Sequence, residues 1–394
     1  MGLGDQSIVE NMFWGRRNYV SQFAGFKTAS VLISAPSFVL FLSASLKFFD
    51  GSISQSLQEV WTDGLKSFVS GYFPQPSIKG FLAYGSWFAF QALLYSILPG
   101  KIYDGQPTPG GHVLRYSING LLSFFVTIAV ALWAGQGGFV DPAWVARNWQ
   151  HLLIGANLFG VALSSFMYLK ASVAPSKPRD TRFSGSFIHD FFAGCELNPR
   201  WGENWDIKLF HVGRPGMNAW VVVDLSFAAM QYQDYGHISN SMMIAIFFHV
   251  IYVIDFFYNE DWYLKTIDIH HDHFGFYLSW GCAVWLPMIY TIQAQYLASH
   301  PIQLSTIGAA LTLTIGLGGY TLFRCANHQK YLARKTNGKC QIWGSKAEVM
   351  KCSYKTSDGG HYQHFILAAI EINLRSQGGG AVHTRFPGLW IAEK

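Results

Sequence analysis

Met242-Met-Ile-Ala-Ile-Phe-Phe-His-Val-Ile-Tyr-Val-Ile-Asp-Phe-Phe-Tyr258 is a nearly unbroken apolar run. Asn259-Glu-Asp-Trp-Tyr-Leu-Lys-Thr-Ile-Asp-Ile-His-His-Asp-His273 follows it directly. The first stretch has the composition of a helix that crosses a bilayer, which needs about 20 mostly apolar residues. The second gathers four carboxylates and three histidines before the chain turns apolar again at Phe276–Leu297. Ionisable side chains at membrane depth are costly, so a cluster wedged between two spans marks a site of function.

Outward from that junction, the rest of the chain has the same character. Thr28–Leu46, Gly80–Leu98, Ile118–Gly135, Leu152–Leu169 and Ile307–Phe323 are further spans, and Ala219–Met230 is a shorter, weaker one that contains Asp224. Eight spans result, predicting an all-α transmembrane bundle. Composition agrees. Half of the 394 residues are apolar and only 13% are charged, about half the charged share of a soluble domain. A disordered chain would be poor in aromatics, and 16% are aromatic here. Five cysteines are too few for a disulfide scaffold, and their odd number leaves one over.

Charge sets the expected orientation. With eight spans, twenty Lys and Arg up to Lys351 fall on the side of the N-terminus and four on the other. The positive-inside rule then places the N-terminus in the cytoplasm. The net charge of +5 belongs to those loops rather than to nucleic-acid binding. No signal-peptide pattern precedes Thr28, so residues 1–27 read as a cytoplasmic arm and the first span as a signal anchor.

Two places could carry chemistry. In the first, Asp268, His271 and Asp272 stand at i, i+3 and i+4, one face of a helix, and Asp255 interrupts an apolar run. His270, His271 and His273 fit no spaced metal motif, and no H-E-x-x-H occurs, so no metal is expected. The second is Arg324–Lys351, with seven basic residues and one acid, Glu348. Lys330 and Arg334 are one helical turn apart, and a cationic face suits a nucleotide polyphosphate. Gly316-Leu-Gly-Gly319 lies within an apolar run and reads as helix packing.

At these residues the sequence resembles the sterol reductase family, polytopic membrane enzymes that include Δ14- and Δ7-sterol reductases and the membrane half of the lamin B receptor. The resemblance runs from about Gly105 to Leu367. It rests on Tyr116-Ser-Ile-Asn-Gly120, Glu196-Leu-Asn-Pro-Arg200, Lys208-Leu-Phe210, Gly213-Arg-Pro-Gly216, Tyr252–Glu260, Thr266–Gly275 and Ala326-Asn-His-Gln-Lys330. The stretches Trp262–Asp268, His271–Tyr277, Ile342-Trp-Gly344 and Cys352-Ser-Tyr354 look like the Δ7 branch.

The resemblance implies reduction of a sterol C7=C8 bond with NADPH in the endoplasmic reticulum membrane. A ring alkene is electron-rich, so a proton adds first and hydride then quenches the carbocation. A buried carboxylic acid, or a phenol wired to one, suits the donor. Glu260, Asp268 and Asp272 are the candidates, with Tyr252 as a relay. By resemblance Lys330, Arg334 and Leu367 contact the cofactor. The alternatives are Δ14 reduction, or an inactive sterol-binding protein like the lamin B receptor. Residues 28–367 form the expected reductase-type domain. Residues 368–394 match none of the family pattern, which predicts two missing spans and little turnover.

Overall fold

A computed structural model describes residues 22–336, 338–342, 345–347, 349–355 and 361–367. Arg16 and Arg17 of the arm and the whole 368–394 tail lie outside the described residues. The chain divides into two compact units, one reaching to Gly319 and one comprising Tyr320–Tyr354 with the strand that follows.

The first unit is helical. Its main elements are α1 (Gln22–Phe48), α2 (Ile78–Ile97), α3 (Gly120–Gln136), α4 (Trp149–Val173), α5 (Ile207–Gly213), α6 (Pro215–Tyr235) and α7 (Asn240–Tyr258). A broken segment follows: α8 (Phe276–Trp280), a π-helical turn at Gly281–Trp285, α9 (Leu286–Ile289) and α10 (Ile292–Ser299). The long α11 (Thr306–Lys335) runs from this unit into the second.

Four helices among the described residues are long and apolar enough to cross a membrane: Gly25–Phe48, Trp149–Val173, Asn240–Tyr258 and Thr306–Ala333. They coincide with four of the eight expected spans. The other four take different forms. The Gly80–Leu98 stretch is a 20-residue helix. Gly120–Gln136 is apolar but 17 residues long. Ala219–Met230 lies within the 21-residue α6. Phe276–Leu297 is not one helix, because the π turn and Pro287 interrupt the regular hydrogen-bond ladder.

The expectation of an all-α chain needs amendment. Lys101–Pro107 (β1) and Val113–Ile118 (β2) form an antiparallel hairpin between α2 and α3. Its turn is tied down by Asp180, which accepts from Thr108 Oγ1 at 2.7 Å and from the Gly110 N–H at 2.6 Å. Short strands also occur in the second unit, at Gln341–Ile342, Ser345–Lys346, Val349–Lys355 and His361–Leu367. These segments are too polar to be read as spans, and strand pairing satisfies their backbone instead.

Glycines set the closest helix contacts. A side chain at Gly80 would strike the backbone of His151, and one at Gly155 would meet the Gly80 carbonyl oxygen at 2.5 Å. The α2 and α4 backbones therefore lie directly against each other, the close approach that small residues permit in membranes. Gly316 likewise accommodates the ring of Phe248 on α7, as its reading as a packing glycine implies, while Gly318 and Gly319 have open space.

Candidate functional site

The junction after α7 is built on two buried cations. α5 begins at Asp206, whose Oδ1 caps the Leu209 N–H at 2.7 Å while its Oδ2 accepts from Arg200 at 3.2 Å. Burial raises the Asp206 acid above the usual carboxylate range. The cap fixes the direction of Lys208, which is fully buried. Its ammonium donates to the carbonyls of Ile269 (2.8 Å) and Asp272 (2.7 Å), so it clamps the turn bearing the acids. Desolvation pulls the Lys208 pKa down to about 7, against the upward pull of Asp206, Asp272 and Asp268.

The second cation is Arg214, the residue between α5 and α6. It pairs with Glu260, both side chains being inaccessible to water. Arg214 also donates to Asn119 Oδ1 at 2.9 Å, and the Gly120 N–H donates to the other Glu260 oxygen at 2.8 Å. Gly120 opens α3, so Glu260 also sits at the positive end of a helix dipole. Asn119 in turn donates to the carbonyls of Tyr95 and Leu98. Glu260 thus joins α3, the α5–α6 corner and the segment after α7.

Asp268 accepts a 3.0 Å hydrogen bond from the Tyr263 hydroxyl. Burial raises its acid, partly offset by that hydrogen bond. The Tyr263 phenol rises well above its usual range for the same reason. The expected helical face is interrupted here. The helix covers only Ile267–His270, so His271 and Asp272 lie in the following turn. The Asp272 carbonyl, rather than its carboxylate, is the group that receives Lys208.

Tyr252 is on α7, with its ring 5.4 Å from the Trp220 indole of α6. That indole also meets His249 at 5.0 Å and Tyr290 at 4.8 Å. His249 Nδ1 lies 2.7 Å from Asp224 Oδ2. Asp255 accepts from Asn259 Nδ2 at 3.2 Å. In the sequence Asp224 is a lone charge in a weak span, and nothing local gives His249, Lys208 or Asn119 a role. An ionisable residue inside each of two neighbouring apolar runs was the available signal for Asp224 and His249.

An apolar cleft of about 800 Å³, counting its open mouth, lies between α2, α4, α6 and the Ala283–Pro287 stretch. Tyr84, Trp87 and Trp149 give it flat aromatic walls, and Ala219, Val222 and Val223 line it from α6. Trp87 Nε1 is held by the Pro215 carbonyl at 3.1 Å, so that wall's polar atom is turned away from the cleft. Such a space suits a rigid, apolar ring system.

Lys330 is half-buried on α11, and Arg334 lies one turn later on the same helix. The side chain of Arg334 and that of Leu367, at the end of the last strand, lie outside the described residues. Two cationic residues one turn apart match a phosphate group in charge and spacing.

A family model described as "Ergosterol biosynthesis ERG4/ERG24 family" matches residues 18–359 of the chain. The 7-dehydrocholesterol reductase of Danio rerio is 40% identical over 370 residues, which cover 90% of this chain and 77% of that protein. The 7-dehydrocholesterol reductase of Xenopus laevis is 39% identical, with 91% and 78% covered. A Delta(14)-sterol reductase of Methylotuvimicrobium alcaliphilum is 34% identical, with 83% and 74% covered.

Proposed function

This chain belongs to the ergosterol biosynthesis ERG4/ERG24 family, and we propose that it reduces the C7=C8 double bond of a 5,7-diene sterol with NADPH. Membership makes it a membrane oxidoreductase of sterol metabolism. The finer assignment is supported by the greater likeness to 7-dehydrocholesterol reductases than to the Delta(14) enzyme above. The observation that carries it is an apolar cleft walled by aromatics, with Asp224 of α6 meeting His249 of α7 beside it.

The protein must deliver a proton to one alkene carbon and keep water from the cation that results. A dry apolar slot serves the second need. For the first, we assign the donor to Tyr252, whose ring lies between two spans against Trp220. Glu260 is already engaged by Arg214 and Gly120, and Asp272 holds Lys208 through its backbone; both are positioning groups in this reading. Asp268 is the second reading, favoured by its raised acid and its link to Tyr263. The cofactor would supply hydride, with Lys330 and Arg334 attracting its phosphates and Leu367 against it. The endoplasmic reticulum is the membrane this activity implies.

The deciding assay gives purified protein NADPH with either a 5,7-diene or a Δ8,14-diene sterol and identifies the product. Turnover is expected to be slow, and what there is should saturate C7=C8 preferentially. Turnover of the Δ8,14 substrate alone would overturn the proposal in favour of Δ14 reduction, and binding of both without turnover would favour a sterol-binding protein. Tyr252→Phe and Asp268→Asn then separate the donors.

A further inference from the structure

Asp224 and His249 are ionisable residues in the middle of two apolar helices, α6 and α7, and they meet each other. Asp224 is wholly buried, and the His249 side chain retains 14% of its accessibility. The Nδ1 atom of His249 lies 2.7 Å from Asp224 Oδ2. Opposite an ionised Asp224, Nδ1 is the donor and Nε2 is the exchanging nitrogen. The other carboxylate oxygen, Oδ1, is buried and accepts no hydrogen bond among the described residues. A packing role alone would not account for a half-satisfied carboxylate placed where charge is most costly.

Trp220 and Asp224 stand at i and i+4 on α6, and His249 and Tyr252 at i and i+3 on α7, so each pair shares one helix face. The Trp220 ring touches both His249 and Tyr252. The face of α6 beside this one, through Ala219, Val222 and Val223, lines the apolar cleft.

We propose that Asp224 and His249 form a proton relay that recharges Tyr252 in each reductive cycle. The inference rests on the proposed reductase function. The Tyr252 O–H bond breaks, and its proton forms the new C–H bond with the alkene π electrons. The phenolate left behind takes a proton from Nε2 of the His249 imidazolium, which Asp224 stabilises. The relay requires that the imidazole then regain a proton from solvent, for which its 14% accessible edge is the point of entry. One proton is consumed in all, and the hydride that closes the carbocation is what a bound dihydronicotinamide would supply.

Among the described residues, the ionisable groups near the couple can be named. On α7 they are Tyr252 and Asp255, and after α9 there is Tyr290. α3 carries no titratable residue. Tyr84 of α2 is directed to the Ala283 carbonyl, Lys208 and His211 of α5 are bonded to the 269–272 turn and to Ser279, Tyr296 of α10 stacks on His300, and Arg147 pairs with Asp234.

The test compares His249→Gln, Asp224→Asn and the double variant in full-length protein with NADPH and 7-dehydrocholesterol across pH. Each single change is expected to lower kcat about tenfold or more, within the range of general acid–base catalysis, with KM for the sterol within about twofold. The double variant should fall no further than either single one, because the two groups act as a unit. Imidazole added to His249→Ala should restore turnover. Unchanged kcat and pH profile, or additive losses without imidazole rescue, would overturn the relay. Nitrogen-15 spectra of the wild-type protein add a readout independent of turnover and of variant folding. A proton on Nδ1 of His249 is required, and an Nε2–H tautomer would overturn the proposal. If the wild type reduces no diene, the proposed function fails on its own, while the spectra still decide the couple.

Discussion

Arg214 and Glu260, 46 residues apart in the chain, form an ion pair with no water access to either side chain. Each partner makes a further hydrogen bond beyond the pair, Arg214 to Asn119 and Glu260 from the Gly120 amide. Removing one member of such a pair leaves a buried, unpaired charge, which costs about 3–5 kcal/mol. Glu260→Gln and Arg214→Met are therefore each expected to lower the thermal unfolding midpoint in detergent sharply. The double variant should recover much of the loss. Singles as stable as the wild type would show that water reaches the site. Gly120→Ala should mimic them, since a methyl there collides with Phe257 and both members of the pair.

In a chain completed with the family's C-terminal segment, Lys330→Ala and Arg334→Ala are expected to weaken NADPH binding by about 1.5–3 kcal/mol each, the value of a hydrogen bond to a charged group. NADH, which lacks the 2′-phosphate, should be affected less. Equilibrium titration with both nucleotides is the measurement. Unchanged NADPH affinity in both variants would remove α11 from the cofactor site.

Lys208 predicts a pH dependence. Its pKa is lowered by burial to about 7 in the folded protein, against an ordinary value of 10.5. Between those values the unfolded chain binds the extra proton, so the folded state gains stability as pH rises through that window and loses it as pH falls toward 7. Measured against Lys208→Met, wild-type stability should improve steadily from pH 7 to 10. A difference independent of pH would mean that Lys208 stays charged when the protein unfolds and when it folds alike.

By the positive-inside rule, Gly338 is expected on the cytoplasmic side together with the N-terminus. A tag inserted near Gly338 should be cleaved by protease added to sealed microsomes. Protection of that tag would reverse the orientation.

The spans with long, uniform apolar runs were legible in the sequence, because hydropathy alone decides them; α4 and α7 begin and end within a few residues of expectation, and α11 begins one residue early but continues to Lys335, well past the expected end at Phe323. The broken segment from Phe276 was not. Its composition is that of a span, and the π turn arises from backbone hydrogen bonding that composition does not encode. The acid cluster was visible as a cluster, but its division of labour was not. Glu260 looks like Asp268 in the sequence; only the tertiary approach of Arg214 and Gly120 gives one an ion pair, while Tyr263 gives the other a phenol. Lys208 was quoted as part of a motif, and nothing local indicates that its ammonium reaches carbonyls 61 and 64 residues away.

The Gly80–Gly155 contact gives the cleft unequal walls. Where two backbones touch, there is no side chain left to rotate aside, so α2 and α4 cannot be pressed closer or tilted without collision. The facing wall includes Ala283 and Pro287, on a stretch already cut by a wide turn and a proline. A guest bulkier than the resting space is therefore accommodated by displacement on that side rather than by α2 and α4. Tolerance for different ring substituents is set by the compliance of Gly281–Pro287, with the glycine seam acting as the anvil.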